Sequence, residues 1–154
     1  MNSKKVYWIL GIIVLALIIG GYVLFGSRKN VDLKTTSLSI NGINFKVQIA
    51  ETMLARAQGL SGRENLGEDE GLLFLFGTSG MYSFWMKDMK FPIDIIWISG
   101  KTIAGFAESV NPEPEKTVFS LTSYSPPQPI DTVLEINSGL VKQYGFQIGD
   151  QVVF

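Results

Sequence analysis

The residue types best suited to chemistry are concentrated between positions 83 and 95, where Ser83-Phe84-Trp85-Met86-Lys87 is followed by Phe91-Pro92-Ile93-Asp94-Ile95. Successive side chains of a strand alternate between its faces, so a strand over Ile93 to Ile98 puts Asp94 with Ile96 and Ile98 and puts Ile93, Ile95 and Trp97 opposite. If both faces are covered, Asp94 is a partly buried carboxylate. Such a group needs cations or hydrogen-bond donors, because burying it unpaired forfeits its solvation. Arg56, Arg63, Lys87 and Lys90 are the candidate cations, and the N–H groups of a turn are the alternative. Lys87 and Arg63 are the expected partners, with Trp85 forming a flat apolar wall beside them. Glu135, in Val133-Leu134-Glu135-Ile136, faces away from Leu134 and Ile136 and reads as a solvated strand position. Asp94 and Glu135 would also supply an acid and a base of the kind glycoside hydrolysis uses.

What the chain lacks narrows this further. Among its 154 residues there is no cysteine and no histidine. Thiolate and imidazole metal sites, histidine-ligated haem, cysteine nucleophiles and Ser-His-Asp triads are therefore excluded. Chemistry would have to rest on Asp, Glu, Lys, Arg, Tyr, Ser or the backbone, and no cofactor is expected. The acidic cluster Glu64, Glu68, Asp69 and Glu70 lacks the spacing of a calcium loop, so no metal site is expected either. Acidic residues outnumber basic ones, 14 to 13, and two of the bases precede residue 6. The absence of a basic surplus argues against a nucleic-acid partner.

The elements that must position these groups are mostly strands. Asn41-Gly42 separates TTSLSI from INFKVQIA and is a strong signal for a type I′ hairpin. Thr52 begins a short helix that stops at Gly59. Further strands are predicted over 71–76 and 81–86 around a Gly77–Gly80 turn, over 93–98 and 101–110 around Ser99-Gly100, near 118–121, over 132–136 and over 146–154. A second short helix is predicted from Ser138, closed by Gly145. About eight or nine short strands with two helical pieces favour a compact β-sandwich or barrel-like domain.

Upstream of this domain, residues 6–25 read VYWILGIIVLALIIGGYVLF, an uncharged run of the length a helix needs to cross a bilayer. The organisation expected is a cytoplasmic N-terminus over 1–5, one uncleaved transmembrane helix over 6–25, a linker over 26–34 and a single β-rich domain over 35–154. A first helix with a short basic leader commonly keeps its N-terminus in the cytoplasm, which favours an extracytoplasmic domain.

Several motifs in order, Arg56 with Gly59-Leu60-Ser61-Gly62-Arg63, Gly71-Leu72-Leu73-Phe74, Phe84-Trp85-Met86-Lys87, Pro92-Ile93-Asp94-Ile95, Leu134-Glu135-Ile136-Asn137-Ser138-Gly139 and Gly149-Asp150, resemble domain of unknown function 192. The resemblance runs from about Ile43 to Phe154. It implies a compact, mostly β domain, often exported or anchored, and implies no activity. Because Arg56, Arg63, Trp85, Lys87, Asp94 and Glu135 sit in its motifs, they are the candidate residues for binding a small polar or anionic ligand. A carboxylate-dependent hydrolase and an envelope interaction domain without catalysis are the alternatives.

Overall fold

The computed structural model describes residues 33–154. The helix expected over 6–25, with its flanking segments before residue 33, lies outside the described residues. Among those described, no helix is long and apolar enough to cross a membrane.

Asn41 and Gly42 both take positive φ, 50° and 82°, the conformation a type I′ turn demands, and they join β1 (Thr35–Ile40) to β2 (Ile43–Ala50) in antiparallel register. Thr52 caps α1 (Met53–Gln58) by accepting a hydrogen bond from the Ala55 amide at 3.1 Å, and Gly59 ends it at φ 53°. Because a helix separates them, β2 and β3 (Glu70–Gly80) pair in parallel. The turn at Ser99-Gly100 links β4 (Ile93–Ser99) to β5 (Thr102–Val110). The chain then returns through β6 (Ile130–Asn137), α2 (Leu140–Tyr144) and β7 (Val152–Val153).

One seven-stranded sheet results, in the order β5-β4-β6-β3-β2-β1-β7. Its outermost strands meet at one corner, where Thr102 bridges Gln151 and the Ile103 amide donates to the Asp150 carbonyl at 3.0 Å. The sheet is thus a half-barrel. Its inner face gathers Leu38, Phe45, Leu73, Ile96, Leu134 and Phe146 under α2, and its outer face gathers Leu72, Phe74, Ile95, Trp97 and Val133 under α1 and the loops. The central strands β4 and β6 are covered on both sides, which is why they read as nearly continuous apolar runs.

Three expected elements form otherwise. β3 runs on through the supposed Gly77–Gly80 turn, so residues 81–86 form no strand and contribute one bridge, Phe84 to Tyr124. Residues 118–121 lie in a turn-rich loop rather than a strand, and the final strand is confined to Val152 and Val153. The strands therefore number seven among the described residues, and Asp94 has β5 and β6 as its neighbours, not the segment ending at Lys87.

Gly71, in β3 between β2 and β6, has no room for a side chain. A Cβ there would lie 3.0 Å from the Glu135 carbonyl oxygen and 3.1 Å from both Leu134 Cδ1 and Val47 Cγ1. Gly71→Ala is expected to cost about 1–3 kcal/mol of stability through overpacking, read from the urea midpoint. An unchanged midpoint would show that the strands can part at no cost.

Candidate functional site

The sheet holds two buried carboxylates, and it separates them. Asp94 and Ile136 are register partners, as are Ile95 and Glu135, so the alternation of β4 and β6 sends Asp94 inward with Ile96 and Ile98 and Glu135 outward with Ile95. They cannot face one cleft, and an acid–base pair of Asp94 with Glu135 is excluded by this geometry.

Asp94 is fully buried and accepts two backbone hydrogen bonds. Its Oδ1 takes the Ser109 amide at 2.7 Å and its Oδ2 the Val141 amide at 2.9 Å. Both bonds answer local needs. The β4–β5 register shifts between Ile93 and Ile95, and Ser109 in that bulge is held at φ 52°, unusual for a residue with a side chain. Gly139, at the N-cap of α2, has no side chain with which to cap the helix, so Asp94 serves that end from across the core. The expected pairing with Arg63 or Lys87 is therefore corrected. Among the described residues no cation forms an ion pair with Asp94, because backbone donors have taken both oxygens.

The other candidates disperse. Lys87 pairs with Asp88 at 2.7 Å on the surface. Arg56 reaches back from α1 to the carbonyls of Glu51 and Leu75, at 2.6 and 2.9 Å, with its guanidinium over the Phe76 ring. That is a staple between helix and sheet. Trp85 is 55 % exposed and walls no site with Asp94. Lys90 pairs with Glu64.

What does come together is Arg63 with Glu135. On the outer face, Gln48, Leu72, Glu135 and Ile95 stand in one row across β2, β3, β6 and β4. The loop after α1 crosses above this face and carries Arg63, whose Nη2 donates to Gln48 Oε1 at 2.6 Å. Glu70 and Glu135 supply the nearby negative charge. The loop is fixed on both sides. Ser61 Oγ donates to the Lys87 carbonyl at 2.7 Å, the Gly62 amide donates to the Asp88 carbonyl at 2.9 Å, and Asn137 Nδ2 donates to the carbonyls of Leu66 and Gly67. Leu60, Leu66, Met86 and Met89 are buried in this cover.

Beneath it Glu135 is only 6 % exposed, and its Oε2 is buried without a hydrogen-bond partner. Burial pushes its carboxyl up to about 8, against the opposing pull of Arg63, so at neutral pH it is mostly protonated. Burial likewise lowers the Arg63 guanidinium from its ordinary value, opposed by Glu70 and then Glu135. The guanidinium stays charged. Trp97 Nε1, on the same outer face, is the second buried side-chain atom without a partner among the described residues. Among those residues no group of three or more acidic side chains could hold a metal ion.

Nothing in the sequence marks Gln48 as part of a site. It alternates with Val47 and Ile49 as a solvent-facing strand residue would, and nothing local announces the loop that covers it. Glu135 was expected in solvent for the same reason.

The fold and this cluster define a mostly β half-barrel domain with one covered, incompletely satisfied polar site. Residues 36–154 match the family model DUF192, described as "Uncharacterized ACR". The chain belongs to that family, domain of unknown function 192. No curated protein matches it. Among solved structures it is similar to a protein of unknown function from Novosphingobium aromaticivorans DSM 12444, with 29 % identity, a TM-score of 0.73 and coverage of 82 % of this chain and 90 % of that one. It is also similar to a protein from Sinorhizobium meliloti 1021 described as a candidate transcription regulator, with 28 % identity, a TM-score of 0.72 and coverage of 80 % and 96 %.

Proposed function

We propose that the domain is a binding module that takes a small anionic ligand, a carboxylate by preference, between Arg63 and Glu135, and that it works while held to a membrane by residues 6–25 on the extracytoplasmic side. The observation that carries the ligand reading is the unpartnered Glu135 Oε2 beside a half-buried arginine. Buried polar atoms are seldom left unsatisfied, and those that are mark places where a partner is expected. A protonated Glu135 donates an O–H, and Arg63 has donors beyond the one given to Gln48, so the site offers donors beside a guanidinium whose charge Glu70 offsets in part. A carboxylate ligand would accept from both.

The membrane reading rests on the uncharged run of residues 6–25. A nucleic-acid role, raised by the description of the Sinorhizobium relative, is less well supported. Lys34, Lys87, Lys90 and Lys116 are each paired with a carboxylate, and no excess of bases is available to follow phosphates.

Acetate, succinate and phosphate titrated into isotope-labelled protein should shift the backbone amides of Gln48, Arg63, Gly71 and Glu135 saturably, with the carboxylates ahead of phosphate. Arg63→Ala should weaken that response by about tenfold or more, the loss of a charge-assisted contact. Shifts centred elsewhere, or equal in the variant, would overturn the assignment.

A further inference from the structure

Helix α1 has an unusual exposed face. A short surface helix normally turns charged residues outward, yet Met53 is 79 % and Leu54 76 % exposed, and Ala57 is exposed beside them. The helix's one charged residue, Arg56, folds away from solvent onto Leu75 and Phe76. Ala55 is the side that faces the core.

The position of this face gives it a partner. The chain enters the domain next to α1: Leu33 packs on the same outer-face cluster as Ala55, the Lys34 carbonyl accepts from the Ile49 amide at 2.8 Å, and Lys34 Nζ pairs with Glu51 at 3.0 Å, two residues before the helix. Between the apolar run ending at Phe25 and the fixed Leu33 lie seven residues, so the two ends are at most ~29 Å apart when the chain is fully extended. If residues 6–25 cross a bilayer, Leu33 and the neighbouring α1 lie within reach of its surface. The opposite end of β1 carries the Asn41-Gly42 turn, and there Asn41 Nδ2 donates to Asp150 Oδ2 at 2.7 Å, near the exposed Ile148.

We propose that α1 rests on the bilayer surface, with Met53 and Leu54 seated among the lipid headgroups and the first methylenes. The proposal rests on the membrane reading above and is independent of the ligand site. Two apolar side chains give little affinity by themselves, but the tether makes their contact intramolecular and holds them at high effective concentration. The domain would thereby be held in a preferred orientation rather than turning freely on its linker.

The test uses the full chain in vesicles of phosphatidylcholine and phosphatidylglycerol. With no native cysteine, Leu54→Cys and Ile148→Cys each carry a single spin label, both at exposed positions where folding is little disturbed. Flotation with the vesicles comes first, and a chain that stays in the aqueous phase overturns the membrane reading and this proposal with it. For a chain that floats, the label at Leu54→Cys is expected to relax preferentially with lipid-dissolved oxygen, and that at Ile148→Cys with a water-soluble nickel chelate. Equal, water-like accessibility at the two positions overturns the docking alone. A label at Leu54→Cys shielded from both relaxants overturns it in favour of contact with protein.

Discussion

Asp94→Ala is expected to destabilise the domain by about 3–5 kcal/mol, by the removal of a fully buried acceptor that serves two backbone donors at once. The Ser109 and Val141 amides, now at 2.7 and 2.9 Å from the carboxylate, would lose their acceptor. Each orphaned donor costs about 1–3 kcal/mol, and the emptied space adds a cavity term. Asp94→Asn keeps the shape but points an N–H₂ group at one of these donors, so about 2–3 kcal/mol is expected. Urea unfolding measures both. Hydrogen exchange locates the damage, since Ser109 and Val141 should lose protection ahead of the rest of the sheet. A loss below about 1 kcal/mol for Asp94→Ala would mean that the bulge in β5 and the start of α2 find other acceptors. The binding proposed at Arg63 and Glu135 should survive in whatever fraction of the variant remains folded, because the sheet lies between the two places.

The case of Asp94 shows what the sequence makes legible and what it does not. Alternation along β4 is a local property, so the face that Asp94 shares with Ile96 and Ile98 follows from six consecutive residues. The partners do not. They are backbone amides 15 and 47 positions away, and a backbone donor has no residue type by which to be recognised. Residue chemistry puts a cation first and backbone N–H groups second, and the second is what forms, because a bulge and an uncapped helix, both properties of the assembled fold, present the donors. Local signals with a mechanism were recovered, as with Asn41-Gly42 in the first hairpin and Thr52 at the cap of α1.

On the outer face the difficulty is similar. Gln48 and Glu135 alternate with apolar neighbours, which in a sheet with one solvated face would place them in water. The loop from Gly59 to Asp69 converts that face to an interior. The loop is held there by Asn137, Ser61 and Gly62, whose contacts span from 26 to 71 positions. The full length of β3 is hidden for a related reason, since Gly77–Gly80 has the composition of a turn while the structure continues the strand through it. Family membership was legible because several motifs stand in order, even where the role of each residue within them was not.

Stability should fall with rising pH across the neutral range, and Glu135→Gln should abolish most of that fall. The sign follows from where protons are bound. With its carboxyl raised from 4.5 to about 8 in the folded state, Glu135 keeps a proton that the unfolded chain has already released. Below pH 4.5 both states hold it, and this contribution is fully present. Between 4.5 and 8 the folded state alone holds it, so each further pH unit removes about 1.4 kcal/mol from folding. Above 8 both states are ionised and the loss, up to about 5 kcal/mol, is complete. Asp and Glu residues whose carboxylates are favoured by folding act in the opposite direction; Glu113, held down to about 2 mainly by its hydrogen bonds from Lys116 and Thr122, loses its contribution only in acid. The two effects therefore fall in separate pH windows. Urea midpoints measured from pH 5 to 9 should slope downward for the native chain and run nearly level for Glu135→Gln, leaving the variant the more stable at pH 9. Arg63→Ala should carry the decline to higher pH, because the guanidinium is the one charge that opposes the upward shift. Parallel slopes for the native chain and Glu135→Gln would mean that Glu135 is ionised in the folded state at neutral pH, and the donor that the ligand site requires would not exist.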